Sequence, residues 1–150
     1  FNSLSLMVKF YLDQGNFIKA EPLQKECAFI IFKLLGEANP NYSTMLYNLA
    51  LIYRQMGNYA LAEENYLKVL HYRKANLGEK HPAYATVLKD LGNLYVALGS
   101  YTRAEPFFRQ ALSIRKEVLG EKHHDYATSL NDLADMYYKM GNYTQAEDLY

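Results

Sequence analysis

The chain repeats itself every 42 residues, and that period constrains its fold more than any other feature. Gly15, Gly57, Gly99 and Gly141 fall in one column. Tyr11, Tyr53, Tyr95 and Tyr137 form a second column, and Ala20, Ala62, Ala104 and Ala146, each followed by Glu, form a third. Residues 42–83 and 84–125 agree at 17 of 42 positions. A fixed period of about 20–50 residues marks a stack of supersecondary units, each burying its apolar face on its neighbours. The copies are 1–41, 42–83, 84–125 and a shortened 126–150, read as a single array. The shortened last copy and a first residue other than Met suggest a piece of a longer array.

Within a copy the apolar residues follow helical spacing. Met45, Leu46, Leu49, Ile52, Tyr53 and Met56 recur at three- and four-residue steps. Gly57-Asn58 then breaks the helix: Gly supplies the left-handed conformation, and Asn16, Asn58, Ser100 or Asn142 can cap the helix that follows. A second helix is expected from near Tyr59 to about Asn76. Leu77-Gly78-Glu79-Lys80-His81-Pro82 closes the copy, with Pro82 suited to a first helical turn. In the next copy His124 replaces that Pro, and Asp125 is the expected cap. Each unit thus reads as helix, tight turn, longer helix, short loop.

The columns then select the repeat type. Leu88-x2-Leu91-Gly92-x2-Tyr95, a turn Gly, and Ala104-x3-Phe108 resemble the tetratricopeptide (TPR) pattern, with Leu88 where the family has Trp. Leu46-x2-Leu49-Ala50-x2-Tyr53 with Ala62-x3-Tyr66, and Leu130-x2-Leu133-Ala134-x2-Tyr137 with Ala146-x3-Tyr150, repeat it. The first copy departs, with Val8 in the small column and Gln24 in the aromatic one. The long period and the Leu-Gly-Glu-Lys-His-Pro loop resemble the kinesin-light-chain type of TPR, in a bacterial style. The resemblance implies an all-α fold: a TPR α-solenoid of antiparallel helix pairs in a right-handed superhelix.

Composition excludes several functions. Sixteen basic and sixteen acidic residues cancel, so no global field favours nucleic acid or an anionic membrane. No apolar run approaches the ~18 residues of a membrane span. The single Cys27 rules out an internal disulfide framework, which fits a cytoplasmic, reducing setting, and it falls in the column of Val69 and Ala111, where a buried thiol is expected. His71, His81, His123 and His124 lack the Cys-x2-Cys or His-Glu-x2-His that would complete a metal site. No phosphate loop or nucleophile elbow is present, so no enzyme activity and no cofactor are expected within these residues. Arg73-Lys74 and Arg115-Lys116 read as cations at helix C-termini rather than a nucleic-acid stripe. Most tyrosines fall in the columns, where packing with the hydroxyl at an edge is expected.

What remains is the face that first helices line in a TPR stack. The resemblance places four columns on it: Tyr47, Lys89 and Asn131; Asn48, Asp90 and Asp132; Leu51, Asn93 and Asp135; Arg54, Val96 and Tyr138. Asn and Asp are poor helix-interior residues, and their return once per copy suggests a binding surface. Side-chain amides pair with both N–H and C=O of an extended peptide. Asn48 matches the kinesin-light-chain peptide-holding Asn, whereas Asp90 and Asp132 depart from it. Lys89 and Asn93 match the start of a carboxylate clamp, but Asp132 stands where its next Asn belongs, so that clamp is rejected. The candidate peptide-binding residues are Tyr47, Asn48, Arg54, Lys89, Asp90, Asn93, Asn131, Asp132, Asp135 and Tyr138. The expected function is a protein-interaction module holding a peptide or partner domain. The alternatives are the regulatory array of a larger enzyme, such as a CHAT peptidase or a signalling ATPase, and a structural or oligomerising spacer. The oligomeric state stays open.

Overall fold

A computed structural model describes residues 2–150, and among them there are eight α-helices and no strand. They are α1 (Asn2–Asp13), α2 (Phe17–Leu35), α3 (Pro40–Gln55), α4 (Tyr59–Leu77), α5 (Pro82–Ala97), α6 (Tyr101–Leu119), α7 (His124–Lys139) and α8 (Tyr143–Glu147). The 42-residue shift carries the helix starts Pro40, Pro82 and His124 onto one another, and likewise Phe17, Tyr59, Tyr101 and Tyr143. Sixteen-residue first helices alternate with nineteen-residue second helices, except at the two ends.

The turn within each pair is made by the column Gly. Gly57 has φ 74°, and the N–H of Asn58 bonds the Tyr53 carbonyl at 2.8 Å, closing off the last turn of α3. Asn16, Asn58 and Asn142 then accept a backbone N–H from the next helix. Ser100 makes no such bond, contrary to expectation. Its backbone matches that of Asn16 (φ −92°, ψ 62° against φ −88°, ψ 72°), so the shorter side chain is what fails to reach.

The loop between pairs uses a different cap. His81 Nδ1 accepts the Ala83 N–H, and His123 Nδ1 accepts the Asp125 N–H, both at 3.1 Å; Asn39 does the same for Asn41. The cap of α7 is therefore His123, not Asp125. With α7 starting at His124, in register with Pro40 and Pro82, Asp125 lies inside the first turn and is the donor.

The chain divides into two compact units, one ending at Tyr72 and one running from Arg73 to Tyr150. In the first, α2 packs on α1 and on α3. Val8, Cys27, Ile31, Leu49 and Ile52 are buried there, with Cys27 Sγ 4.0 Å from Ser5 Oγ. In the second, α6 packs on both α5 and α7, and α5 also touches α7. Its core joins Tyr95, Ala104, Phe108, Leu133, Met136, Tyr137 and Ala146. Tyr150 shares a column with the buried Tyr66 and Phe108 yet is 70% exposed.

Polar bridges lock successive pairs. In the second unit the Tyr137 hydroxyl donates to Glu105 at 2.7 Å, and Arg109 donates to both, at 2.7 Å to Glu105 and 2.6 Å to the Tyr137 oxygen. In the first unit Tyr53 donates to Glu21, which also pairs with Lys25. The Arg-Lys pairs are more specific than helix-end cations. Arg73 donates to the Ala83 carbonyl at 2.6 Å, and Arg115 to the Asp125 carbonyl and to Ser129 Oγ. Lys74 and Lys116 pair with Glu79 and Glu121 of the following loops.

Candidate peptide-binding face

In the second unit the site is a consequence of helix pairing. Leu91, Leu94, Leu133 and Met136 are spent on the core, which leaves Lys89, Asp90 and Asn93 of α5 and Asn131, Asp132 and Asp135 of α7 on other sides of their helices. Lys89 Nζ lies 3.4 Å from Asp90 Oδ1. Asp90, expected on a solvent-facing column, is 4% exposed. Asn93 is half-buried and Asn131 exposed.

Asp132 is the unusual member. Its Oδ2 is shielded from solvent and has no hydrogen-bond partner. Burial pushes this carboxyl above its usual range; Lys89 and Arg115 pull it back, while Asp135 and Asp90 add to the rise. Arg115 gives its hydrogen bonds to Ser129 and the Asp125 carbonyl. Asp135, exposed, accepts the Tyr150 hydroxyl at 2.5 Å, and that bond raises the Tyr150 phenol. Tyr138 is 60% exposed and stands edge-on to Tyr143, ring centres 5.3 Å apart.

In the first unit α3 carries Tyr47, Asn48 and Arg54, all half-buried. The Tyr47 ring meets the buried Tyr66 edge-on at 6.0 Å. Part of Tyr47 is therefore committed to packing.

His81 and His123 are engaged as helix caps, and among the described residues no three His, Cys, Asp or Glu side chains are grouped to hold a metal. None of the described helices is long and apolar enough to cross a membrane. Sequence reasoning missed the Arg115 clasp and the Arg109–Tyr137–Glu105 bridge. The second was signalled by the Glu after each column Ala and by the column Tyr, with a base four residues after Glu21 and Glu105 but Leu67 four after Glu63.

The chain matches the family model for the tetratricopeptide repeat over residues 1–75, 41–117 and 94–150. No curated protein matches it. Among solved structures, BtubC (BKLC) from P. vanneervenii aligns with a TM-score of 0.87 over 97% of this chain at 26% identity, and this chain spans 58% of that one. The nearly identical TPR-like repeats of a Podosopora anserina protein described as a kinesin light chain align at 0.85 over 99% of this chain and 70% of theirs, at 24% identity. MamA MSR-1 C2 aligns at 0.59 over 93% of this chain and 70% of its own, at 22% identity. Such repeats are generally protein-interaction modules, and their fold is typically non-catalytic. The 42-residue columns, the paired helices and these likenesses agree: the chain belongs to the tetratricopeptide repeat family, and its structural neighbours include kinesin-light-chain-like repeat proteins.

Proposed function

We propose that this chain holds an extended peptide segment of a protein partner against its first helices. Lys89, Asn93, Asn131, Asp132, Asp135 and Tyr138 contact the peptide in the second unit, with the buried Asp90 paired to Lys89 rather than touching it, and Tyr47, Asn48 and Arg54 contact one in the first. The observation that carries this reading is the Asp132 carboxyl, whose Oδ2 is shielded from solvent and has no hydrogen-bond partner, with Lys89 and Arg115 only partly offsetting its burial and Asp135 and Asp90 adding to the cost. A buried charge of this kind weakens the fold unless something offsets it. A basic side chain of a ligand is such a group.

The α7 end of the face then prefers Lys or Arg in the bound segment. Residues 126–150 hold four acidic groups against the single basic Lys139. Lys89 and Arg54 suit an acidic or amide-bearing stretch elsewhere. Panning a random peptide library on the intact chain tests this. Selected peptides are expected to carry basic residues, and the enrichment is expected to vanish when Asp132 and Asp135 are both changed to Lys. Peptides without basic enrichment would count against the reading.

A further inference from the structure

The outer side of α2 departs from that of α4 and α6. Ile18, Pro22, Lys25, Phe29 and Phe32 recur at steps of four and three residues, which sets them along one side of α2. All five are exposed, Ile18 at 76%, Phe29 at 60% and Phe32 at 41%. In the 42-residue register Phe29 is matched by His71 and Ser113, Phe32 by Lys74 and Lys116, and Ile18 by Ala60 and Thr102. Those counterparts are exposed as well, although α4 and α6 each have a whole helix pair before them in the chain. The seam is therefore an outward side of the second helix in every copy, and not a face bared by a missing neighbour. Only in α2 does it carry two aromatic rings. Its charges lie in the middle. Lys25 pairs with Glu21, one turn back, at 2.5 Å, while the exposed Glu26 beside it makes no ion pair among the described residues. The seam has the same order from either end: two apolar residues, a cation and an anion side by side, two apolar residues.

We infer that α2 pairs with α2 of a second copy of this chain, antiparallel about a two-fold axis near Lys25 and Glu26. A two-fold interface is made of one patch meeting itself, so the patch must complement its own reverse. This one does. Phe29 of each copy packs on Pro22 of the other, Phe32 lies beside Ile18, and Lys25 of each copy reaches Glu26 of the other. A parallel pairing would instead set Lys25 against Lys25 and Glu26 against Glu26, which like-charge repulsion opposes. The pairing uses a second helix and stands apart from peptide binding by the first helices.

The test is sedimentation of the intact chain between about 1 and 100 μM, a range that spans micromolar dissociation constants. A concentration-dependent dimer is expected. Phe29→Asp is expected to weaken it by about tenfold or more. Because Phe29 is exposed, that variant is expected to keep the parent's circular dichroism. Lys25→Glu and Glu26→Lys are each expected to weaken self-association severalfold, since each sets like charges against one another across the axis. Mixed in equal amounts, the two variants are expected to associate with each other, because a doubly acidic copy then meets a doubly basic one. Recovery in the mixture also shows that neither variant has unfolded. A chain that stays monomeric overturns the inference. So does a dimer indifferent to Phe29→Asp, or a mixture no better associated than its separate variants.

Discussion

A β-carbon added to Gly92 would lie 2.7 Å from Cε1 of Phe108 and within 2.9 Å of two further ring atoms. Gly92 is a helical residue in mid-α5, so its value is size rather than backbone freedom. The Phe108 ring lies against the α5 backbone where Ala50 and Ala134 stand in the neighbouring copies. Gly92→Leu is expected to be among the most damaging single changes, costing on the order of 1–3 kcal/mol or more through overpacking. Thermal unfolding beside the exposed Gln110→Ala checks this. Equal melting temperatures would contradict the packing described.

The Glu105 bridge has a pH signature. The Tyr137 hydroxyl, and then Arg109, hold the Glu105 carboxyl below its usual range. A depressed folded pKa stabilises the fold above the unfolded value and loses that contribution as pH falls through the folded one. Glu105→Gln is therefore expected to lower the melting temperature near neutral pH by roughly 2–4 °C. The gap to the parent is expected to close as pH falls below about 4. A gap independent of pH would mean that the bridge adds nothing electrostatic.

Asp132 carries the opposite sign. Its raised folded pKa means that burial opposes the charged form, so the fold loses stability as pH rises through the unfolded value towards the folded one. Asp132→Asn keeps the shape and removes the charge. It is expected to raise the melting temperature at neutral pH, by on the order of 1 °C or more, and to leave it unchanged at about pH 3. A lower melting temperature at neutral pH would show that the carboxylate serves the fold.

The loop histidines give a capping test. His123→Ala is expected to cost about 0.5–2 kcal/mol, and His123→Asn, the residue type at Asn39, much less. Equal losses would show that the Nδ1 contact is incidental.

These residues also show what sequence can and cannot convey. Helix boundaries were legible because the period imposes one register on every copy: Pro82 marks the start of α5, and the same 42-residue step finds His124. The bridging Tyr and Glu columns were visible as columns, though not as partners, since Tyr137 and Glu105 lie 32 residues apart. Depth was not legible. A column assigns a face to Asp90, but its burial depends on how closely α5 is flanked, and no single helix encodes that. The reach of Arg115 to Ser129 and the failure of Ser100 to cap are matters of side-chain length, which residue class alone does not resolve.

The central claim is that the α5–α7 face reads the charge of a bound segment. Its most direct measurement is the affinity of two extended peptides of about twelve residues, identical except for Lys against Glu, at low and high salt. The parent chain is expected to bind the Lys peptide more tightly by about tenfold at low salt, with the margin shrinking as salt rises over a Debye length of roughly 8–10 Å. Asp132→Lys with Asp135→Lys is expected to remove or reverse that preference while the array stays folded. Equal affinities in the parent, or a preference untouched by the double change, would contradict it.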